Sequence, residues 1–291
     1  MDDDFAFLSD DIVYDVLQFA HFERLSTNSP SMKPLGGRWG EIAKTYSYFK
    51  LVDNEIEEYR LDGHSVPFTA ATKNRKDVAI NSICLYGIRE FNEIEHLAAN
   101  AYESLEVYCD DIPKKFLENL GNRFTSIIWW NANKSQTKID FLKRQLKSPH
   151  LRNLECDGPV LTRPDFIDLL VDFVRKTNFE TLNDSSFSRK GISERVFFAA
   201  YEAWLQRKEE NHLPSSVSAW ISTKDLHELT ARIPNCSWNK RSLSWGPDWS
   251  YNERHPTANY YQMLITYDDY ATSEVKKLTM TLSRGHTKHS Y

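Results

Sequence analysis

The chain has 291 residues, of which 41% are hydrophobic and 26% are charged, and its formal net charge at neutral pH is −5. This is the composition of a globular protein with a sizeable core, and the acidic balance gives no reason to expect a nucleic-acid-binding protein, which would carry a basic stripe. The sequence contains neither a long apolar run nor a basic segment before an apolar core, so we expect no membrane span, no signal peptide and a cytoplasmic or nuclear location.

Residues 5–60 predict a small helical module. Ser9 is a favourable helix N-cap, and the acids that follow it suit the positive end of a helix dipole. An apolar stripe then recurs at helical spacing through Ile12, Val13, Val16, Leu17 and Ala20. After Gly36 and Gly37, a second apolar run consists of Trp39, Ile42, Ala43, Tyr46, Phe49 and Leu51.

Residues 75–215 contain a short apolar pattern that recurs five times. Each copy has apolar residues at its first and fourth positions and usually at its sixth, as in Leu151, Leu154 and Cys156. The central residues of the five copies are Ile83, Leu105, Ile127, Leu154 and Leu182, which lie 22, 22, 27 and 28 residues apart. This period falls within the roughly 20 to 29 residues of leucine-rich repeats, whose units contribute a strand followed by a helix or a turn.

The segments between these copies show helical periodicity. The predicted helices cover residues 91–102, 113–120, 139–146, 166–174 and 193–205. Alternation of strand and helix favours parallel neighbouring strands, so the expected fold is α/β, with an irregular leucine-rich-repeat-like strand-helix array after the N-terminal module. The alternative is an unrelated mixed α/β domain whose strands happen to look alike.

The outward positions of the predicted strands form a candidate binding surface. Side chains of a strand alternate between its two faces, so the fifth and seventh positions of each copy should line the side away from the core. The candidate partner-binding residues are Tyr86, Glu106, Tyr108, Ile128, Trp130, Glu155 and Asp157. Tyr86, Tyr108 and Trp130 would form an aromatic ladder of the kind found at protein interfaces, while the nearby carboxylates disfavour nucleic acid. The alternative is that the C-terminal segment covers this ladder.

Residues 216–291 predict a β-rich C-terminal segment. Trp238, Trp245 and Trp249 lie among Gly and Pro residues, and the stretches YYQMLITYDD and KKLTMTLSRG alternate in a way that favours strands. This segment is expected either to cap the repeat array or to form a small β-rich lobe on it.

The sequence carries no recognisable catalytic motif. It lacks a nucleophile elbow, a phosphate-binding loop, a dinucleotide-binding glycine motif and a His-Glu-x-x-His zinc motif. The acidic pairs Asp110-Asp111 and Asp268-Asp269 lie at predicted strand ends, where acidic turn residues are common. The four cysteines form no Cys-x-x-Cys pair and the histidines show no ligand spacing, so we expect no metal site, no cofactor and no enzymatic activity.

The N-terminal residues resemble an F-box, which begins Leu-Pro-x-Glu and continues with an apolar helix and a later Trp. The matching features are Leu8-Ser9-Asp10-Asp11, the stripe from Ile12 to Leu17, and Trp39. The segments FLKRQLKSPHLRNL, FIDLLVDFVRKTNFETL and VFFAAYEAWL resemble parts of a nematode-expanded group of F-box-like proteins, which join a degenerate N-terminal F-box to a repeat-like C-terminal region. The resemblance implies that an adaptor-docking surface is formed by Leu8, Ile12, Val13, Val16 and Leu17.

Two functions are expected from this combination. In the first, the chain is a protein–protein interaction adaptor, namely the substrate-recognition subunit of a cullin-type (SCF) ubiquitin ligase. The resemblance then implies a Skp-type adaptor and a cullin scaffold as partners, with an unidentified protein target on the repeat face. In the second, the same fold is a stand-alone repeat scaffold that binds a protein partner without ubiquitin-ligase association. Neither function involves nucleic acid or a membrane.

Overall fold

A computed structural model of the chain describes residues 47–52, 55–60, 65–67, 80–85, 91, 95, 101–130, 135–185, 191–206, 215–233, 239–243, 246–254, 261–268 and 275–284. The predicted N-terminal helix, with the docking residues Leu8, Ile12, Val13, Val16 and Leu17, lies outside the described residues. Trp39 and Tyr86 also lie outside them.

The described residues form a mixed α/β structure built on one sheet of thirteen strands. The strands are β1 (Ser47–Val52), β2 (Glu55–Arg60), β3 (Ser65–Pro67), β4 (Ile80–Leu85), β5 (Ala101–Val107), β6 (Ser126–Trp129), β7 (Asn153–Cys156), β8 (Thr181–Asp184), β9 (Ser215–Ser222), β10 (Asn239–Leu243), β11 (Gly246–Arg254), β12 (Tyr261–Asp268) and β13 (Val275–Arg284). Their order across the sheet is β10-β11-β12-β13-β9-β8-β7-β6-β5-β4-β1-β2-β3. In the centre of the sheet β1 pairs in parallel with β4, and β4 to β9 pair in parallel one after the other. Antiparallel strands follow at both edges, beginning with β2 beside β1 and β13 beside β9.

The helices of the described residues lie mostly between successive parallel strands. They are α1 (Lys114–Asn119), α2 (Gln136–Lys147), α3 (Gly158–Leu161), α4 (Pro164–Val174), α5 (Glu194–Gln206) and α6 (Thr223–Arg232). The helices predicted near residues 113–120, 139–146, 166–174 and 193–205 are therefore confirmed. Neighbouring helices pack on one another and cover one side of the sheet.

The central residues of the five sequence copies lie at one level of the parallel strands. Ile83 pairs with Leu105, Leu105 with Ile127, Ile127 with Leu154, and Leu154 with Leu182. The predicted equivalence of these positions is therefore confirmed by the register. Val217 of β9 lies at the same level, because it pairs with Leu182, so the parallel strands extend into the segment that was predicted to form a cap or a small lobe.

Alternate strand residues form the core beneath the helices. Leu105, Ile127, Leu154 and Leu182 are at most 1% exposed, and the neighbours on either side of each are partly exposed. Burial of each such side chain contributes about 1.5 to 3 kcal/mol, so the shared level of apolar residues holds successive units together. A single strand with its helix could not bury this apolar side without the neighbouring strands and helices.

The prediction of a helical module is wrong over residues 47–52 and 55–60. This part of the chain forms the antiparallel pair β1 and β2, and β1 also pairs in parallel with β4. The stretches SYFKLV and EIEEYR place aromatic and β-branched residues close together, which favours strands over helices. The helix predicted over 91–102 is also wrong at residues 101 and 102, because β5 begins at Ala101.

The C-terminal segment is β-rich, as predicted, and it extends the same sheet. β13 pairs antiparallel with β9, and β12, β11 and β10 follow outward in an antiparallel order. Helix α6 was not predicted, although its start carries a sequence signal. The hydroxyl of Ser222 accepts a hydrogen bond from the backbone N–H of Asp225 at 3.0 Å, which is the pattern of a helix N-cap.

Candidate functional site

The side of the sheet opposite the helices is partly exposed, and we call it the open face. It is formed by strand residues that alternate with the buried ones, namely Ser104, Glu106, Ser126, Ile128, Trp130, Asn153, Glu155, Thr181, Asn183, Ser216, Ser218 and Trp220. Each lies next to at least one buried residue in the sequence, so the alternation of side chains along the strands positions this surface. The open face therefore follows from the alternation of side chains along each strand.

An aromatic pair lies where β5 and β6 end. Tyr108 is 37% exposed, Trp130 is partly buried, and their rings stack with centroids 6.4 Å apart and planes 22° apart. The backbone N–H of Tyr108 donates to Leu85 O at 3.0 Å, and that of Trp130 donates to Val107 O at 2.9 Å. These bonds continue the parallel pairing past the strand ends, which brings the two rings side by side. Two members of the predicted ladder are thus adjacent.

Carboxylates surround this aromatic pair. Glu106, Ile128 and Glu155 lie side by side in register on three neighbouring strands, and all three are partly exposed. The Tyr108 hydroxyl donates to Glu106 Oε2 at 3.3 Å. Partial burial raises the pKa of Tyr108, and the negative charge of Glu106 raises it further. The phenol therefore remains a neutral donor at physiological pH, and the surface around it is negatively charged.

Two of the outward positions are buried. Asp157 is only 8% exposed, so the prediction that it lines the open face is wrong. Its backbone carbonyl accepts from Val160 N at 3.3 Å, because the chain turns into α3 directly after β7 and the strand alternation stops there. Cys84, at the fifth position of the first copy, is also 8% exposed. The remaining described candidates, from Glu106 to Glu155, stay on the open face.

A stripe of small polar residues crosses the open face. On each of β5, β6 and β7 it lies two residues before the row formed by Glu106, Ile128 and Glu155. It consists of Ser104, Ser126, Asn153, Thr181, Ser216 and Thr281, which are paired in register from β5 to β13. Thr181 Oγ1 donates to Asn153 Oδ1, and Asn153 Nδ2 donates to Glu180 Oε2, both at 2.8 Å. The sequence signal for this stripe is the third position of each copy. Because these side chains are short, the larger side chains of the neighbouring row, Glu106, Ile128 and Glu155, project further from the sheet.

The far end of the open face has the opposite charge. Trp220 of β9 is partly buried, and Lys277 Nζ lies 5.8 Å from the centroid of its ring. β9 is three strand spacings from β6, or about 14 Å. The open face therefore carries an aromatic group at each end, with carboxylates beside one and an ammonium beside the other.

An acidic cluster lies away from the open face. Oxygen atoms of Glu194, Asp225 and Glu228 are within 4.8 Å of one another. Each carboxylate already has a donor within the chain, because Glu194 faces Arg232, Glu228 faces Lys224, and Asp225 accepts from the Ser222 hydroxyl. These contacts account for the cluster as part of the α5–α6 packing.

Comparisons with models of protein families, with curated proteins and with solved structures find no match for this chain. In the part of the chain that the structure describes, no helix combines the length and apolar character that a membrane crossing requires. The surface geometry and the residue pattern are thus what supports a function.

Proposed function

We propose that this chain is a protein–protein interaction adaptor that binds a protein partner on its open face. The observation that carries the proposal is the stacked Tyr108–Trp130 pair on an exposed sheet surface. Aromatic side chains with a polar group supply much of the binding energy at protein interfaces, because they bury a large apolar area at a small entropic cost.

The charges beside the aromatic pair favour a protein ligand over a nucleic acid. Glu106 and Glu155 flank Ile128 in the row below the rings, so this part of the face repels phosphate groups. A Lys or Arg side chain of a partner above Ile128 would find a carboxylate one strand spacing away on either side and an aromatic ring nearby. We therefore propose a partner whose contact segment carries basic residues opposite β5–β7.

We also propose that the strands from β4 to β8 and their helices form an irregular leucine-rich-repeat-like array. The repeat period of 22 to 28 residues and the shared level of the five central residues support this assignment. The array would present its sheet as the binding surface, as solenoid proteins do.

We propose in addition that the adaptor is the substrate-recognition subunit of a cullin-type ubiquitin ligase. The support is the F-box resemblance of Leu8-Ser9-Asp10-Asp11 and of the stripe from Ile12 to Leu17. In such an assembly the N-terminal residues dock a Skp-type adaptor, and the open face holds the target near the transferred ubiquitin. Proximity then supplies the effect, and no catalytic residue is required in this chain. The alternative is a stand-alone scaffold that binds its partner by the same face.

One experiment distinguishes the ubiquitin-ligase subunit from the stand-alone scaffold. The full chain is co-expressed with a Skp-type adaptor and a cullin scaffold, and the complex is purified by size-exclusion chromatography. Stoichiometric co-elution supports the ubiquitin-ligase subunit. If the chain elutes alone while a control F-box protein co-elutes, the ligase role is wrong and the stand-alone scaffold remains.

The open face is tested separately by quantitative comparison of captured proteins. Wild type, Trp130→Ala and Lys224→Ala are compared, since Lys224 is an exposed surface residue on α6, away from the open face. A partner that is captured by wild type and Lys224→Ala but lost with Trp130→Ala supports binding on the open face. Equal capture by all three variants would contradict it.

A further inference from the structure

A cleft of about 490 Å³ lies at the opposite edge of the array from the aromatic pair. It is formed by the loop before β6 and by the end of α2 with the loop that follows. The residues that matter for its chemistry are Asn122, Arg123, Arg144, Lys147, Ser148 and His150. Among the described residues no carboxylate lines the cleft, although the chain as a whole has a net charge of −5. The cleft is therefore a local concentration of positive charge on an acidic protein.

Arg144 is held in place by the helix that precedes it in the array. Its Nη2 donates to Leu117 O at 2.7 Å and to Leu120 O at 3.0 Å, which fixes the guanidinium at the end of α1. The guanidinium carbon also lies 5.2 Å from the centroid of the Phe141 ring. Its Nε is buried without a hydrogen-bond partner in the described part of the chain, and partial burial lowers the pKa of the group. Arg144 is thus a cation at the cleft whose guanidinium is fixed by its contacts with α1.

Two further cations at the cleft are exposed. Arg123 and Lys147 form no ion pair with any described residue. Other exposed cations of the described part, such as Arg175 and Arg195, do face a carboxylate. The cations at the cleft are therefore available to a ligand.

Backbone and side-chain bonds preorganise the floor of the cleft. Ser148 Oγ donates to Asn122 O at 2.5 Å and accepts from the backbone N–H of His150 at 3.3 Å. Gln145 Nε2 donates to Gly121 O at 2.9 Å and to Asn122 Oδ1 at 3.2 Å, which orients the Asn122 amide and leaves its NH₂ group as a donor. The floor thus holds its polar groups in fixed positions before a ligand arrives.

The end of α2 would by itself disfavour an anion, because a helix C-terminus carries partial negative charge. Lys176 offsets this charge, since its Nζ donates to the carbonyls of Leu146 and Ser148. The partial negative charge at the end of α2 is therefore largely neutralised, and it does not cancel the attraction of Arg123 and Lys147 for an anion.

From this geometry we infer that the cleft binds a phosphate monoester. A phosphate dianion accepts several charge-assisted hydrogen bonds, and a fixed guanidinium with nearby ammonium and amide donors matches that requirement. The cleft is larger than a phosphate group alone needs, so the ligand carries a further moiety beside the phosphate. This inference is independent of the proposed protein partner, because the cleft and the aromatic pair lie at opposite strand ends.

The test measures binding of phenyl phosphate to the full chain by isothermal titration calorimetry, with chloride at matched ionic strength as the reference. The variant Arg123→Ala/Lys147→Ala removes two exposed cations that have no ion-pair partner in the described part of the chain. The matched control is Arg175→Ala/Lys224→Ala, which removes the same charge from other exposed sites. We expect the cleft variant to bind at least about tenfold more weakly, equivalent to about 1.4 kcal/mol, and the control to bind like wild type.

A second titration identifies the source of the phosphate. A Gly/Ala peptide with one phosphoserine is compared with its unphosphorylated form and with phenyl phosphate. Tighter binding of the phosphopeptide assigns the site to a phosphorylated protein, and equal binding assigns it to a small phosphate monoester. Absence of binding by both phosphorylated probes to wild type overturns the inference, as does equal weakening in the cleft variant and the control.

Discussion

The indole ring of Trp130 stacks on the phenol ring of Tyr108 although the two residues are 22 positions apart in the chain. The contact follows from the pairing of Val107 with Trp129, which places the next residue of each strand at the same level. Trp129 itself points the other way, is fully buried, and packs against Phe141 with ring centroids 5.1 Å apart. Two consecutive tryptophans therefore lie on opposite faces of one strand.

This arrangement makes Trp129 and Trp130 a matched pair for mutation. Trp130→Ala should change the melting temperature little, because the ring is partly exposed, but it should weaken partner binding by about 2 kcal/mol or more. Trp129→Ala should lower the free energy of unfolding by about 3 to 5 kcal/mol, because it leaves a cavity beneath the helices. Urea denaturation measures the free energy of unfolding of both variants, and titration with the captured partner measures the loss of binding in Trp130→Ala. Equal destabilisation by both changes would mean that Trp130 is core and the open face is covered.

The docking surface is tested by Ile12→Asp together with Leu17→Asp. If the stripe from residue 8 to residue 17 binds a Skp-type adaptor, two carboxylates in it should abolish adaptor pull-down, since an uncompensated charge in an apolar interface is costly. The circular dichroism spectrum and melting temperature of the variant must match those of wild type. A folded variant that binds the adaptor as tightly as wild type would rule out this surface.

Gly191 tests how closely the chain before α5 packs against β9. A Cβ at this position would lie 2.6 Å from the carbonyl oxygen of Trp220 and would also collide with the Ile221 backbone of β9. The adjacent Ile192 N–H donates to that same oxygen at 2.6 Å, so neither segment can move away without loss of the bond.

Gly191→Ala should therefore lower the free energy of unfolding by about 1 to 3 kcal/mol, the usual cost of overpacking. The control is Thr177→Ala, at an exposed position, which should cost less than about 0.5 kcal/mol. Urea denaturation of both variants measures the difference. If Gly191→Ala is as stable as Thr177→Ala, residue 191 does not lie as close to β9 as the structure places it.

The parallel core was predictable because it depends on a local and repeated pattern. An apolar residue at the fourth position of each copy must turn inward, and the helices between copies force the strands to run parallel, so Leu105 and Ile127 could be aligned by spacing alone. The period-two alternation then located Trp130 on the other face. Both inferences need only the sequence within one repeat and its neighbour.

Other features depend on contacts that no local pattern encodes. The apolar residues Phe49 and Leu51 fit a helix as well as a strand, and only the pairing of this segment with β2 and β4 decides in favour of β1. Asp157 is buried because the chain turns into α3, a point that strand alternation cannot locate. The basic cleft escaped prediction because Arg123 and Arg144 belong to a loop and a helix that are separated in sequence and meet only through helix packing.

Glu103 is a half-buried carboxylate on the core side of β5. Strand alternation places its side chain on the same side as Leu105 and Val107, both of which are buried. Its backbone carbonyl accepts hydrogen bonds from the N–H and the hydroxyl of Thr125, at 2.9 and 3.0 Å, which fixes the residue in the sheet. Burial raises the pKa of Glu103 from an ordinary 4.5 to about 7, because the ionised form is poorly solvated there.

This raised pKa predicts a loss of stability as the pH increases. Between pH 4.5 and about 7 the folded chain binds more protons at Glu103 than the unfolded chain, so the free energy of unfolding falls through that window. Glu103→Gln removes this titrating group. Its free energy of unfolding should therefore be about 1 to 2 kcal/mol higher than that of wild type at pH 8, after allowance for partial solvent screening, and equal to that of wild type at pH 4. Urea denaturation at both pH values measures the difference, with Glu118→Gln on the exposed side of α1 as the control. A constant difference between Glu103→Gln and wild type at all pH values would show that the carboxyl group is solvated in the folded state.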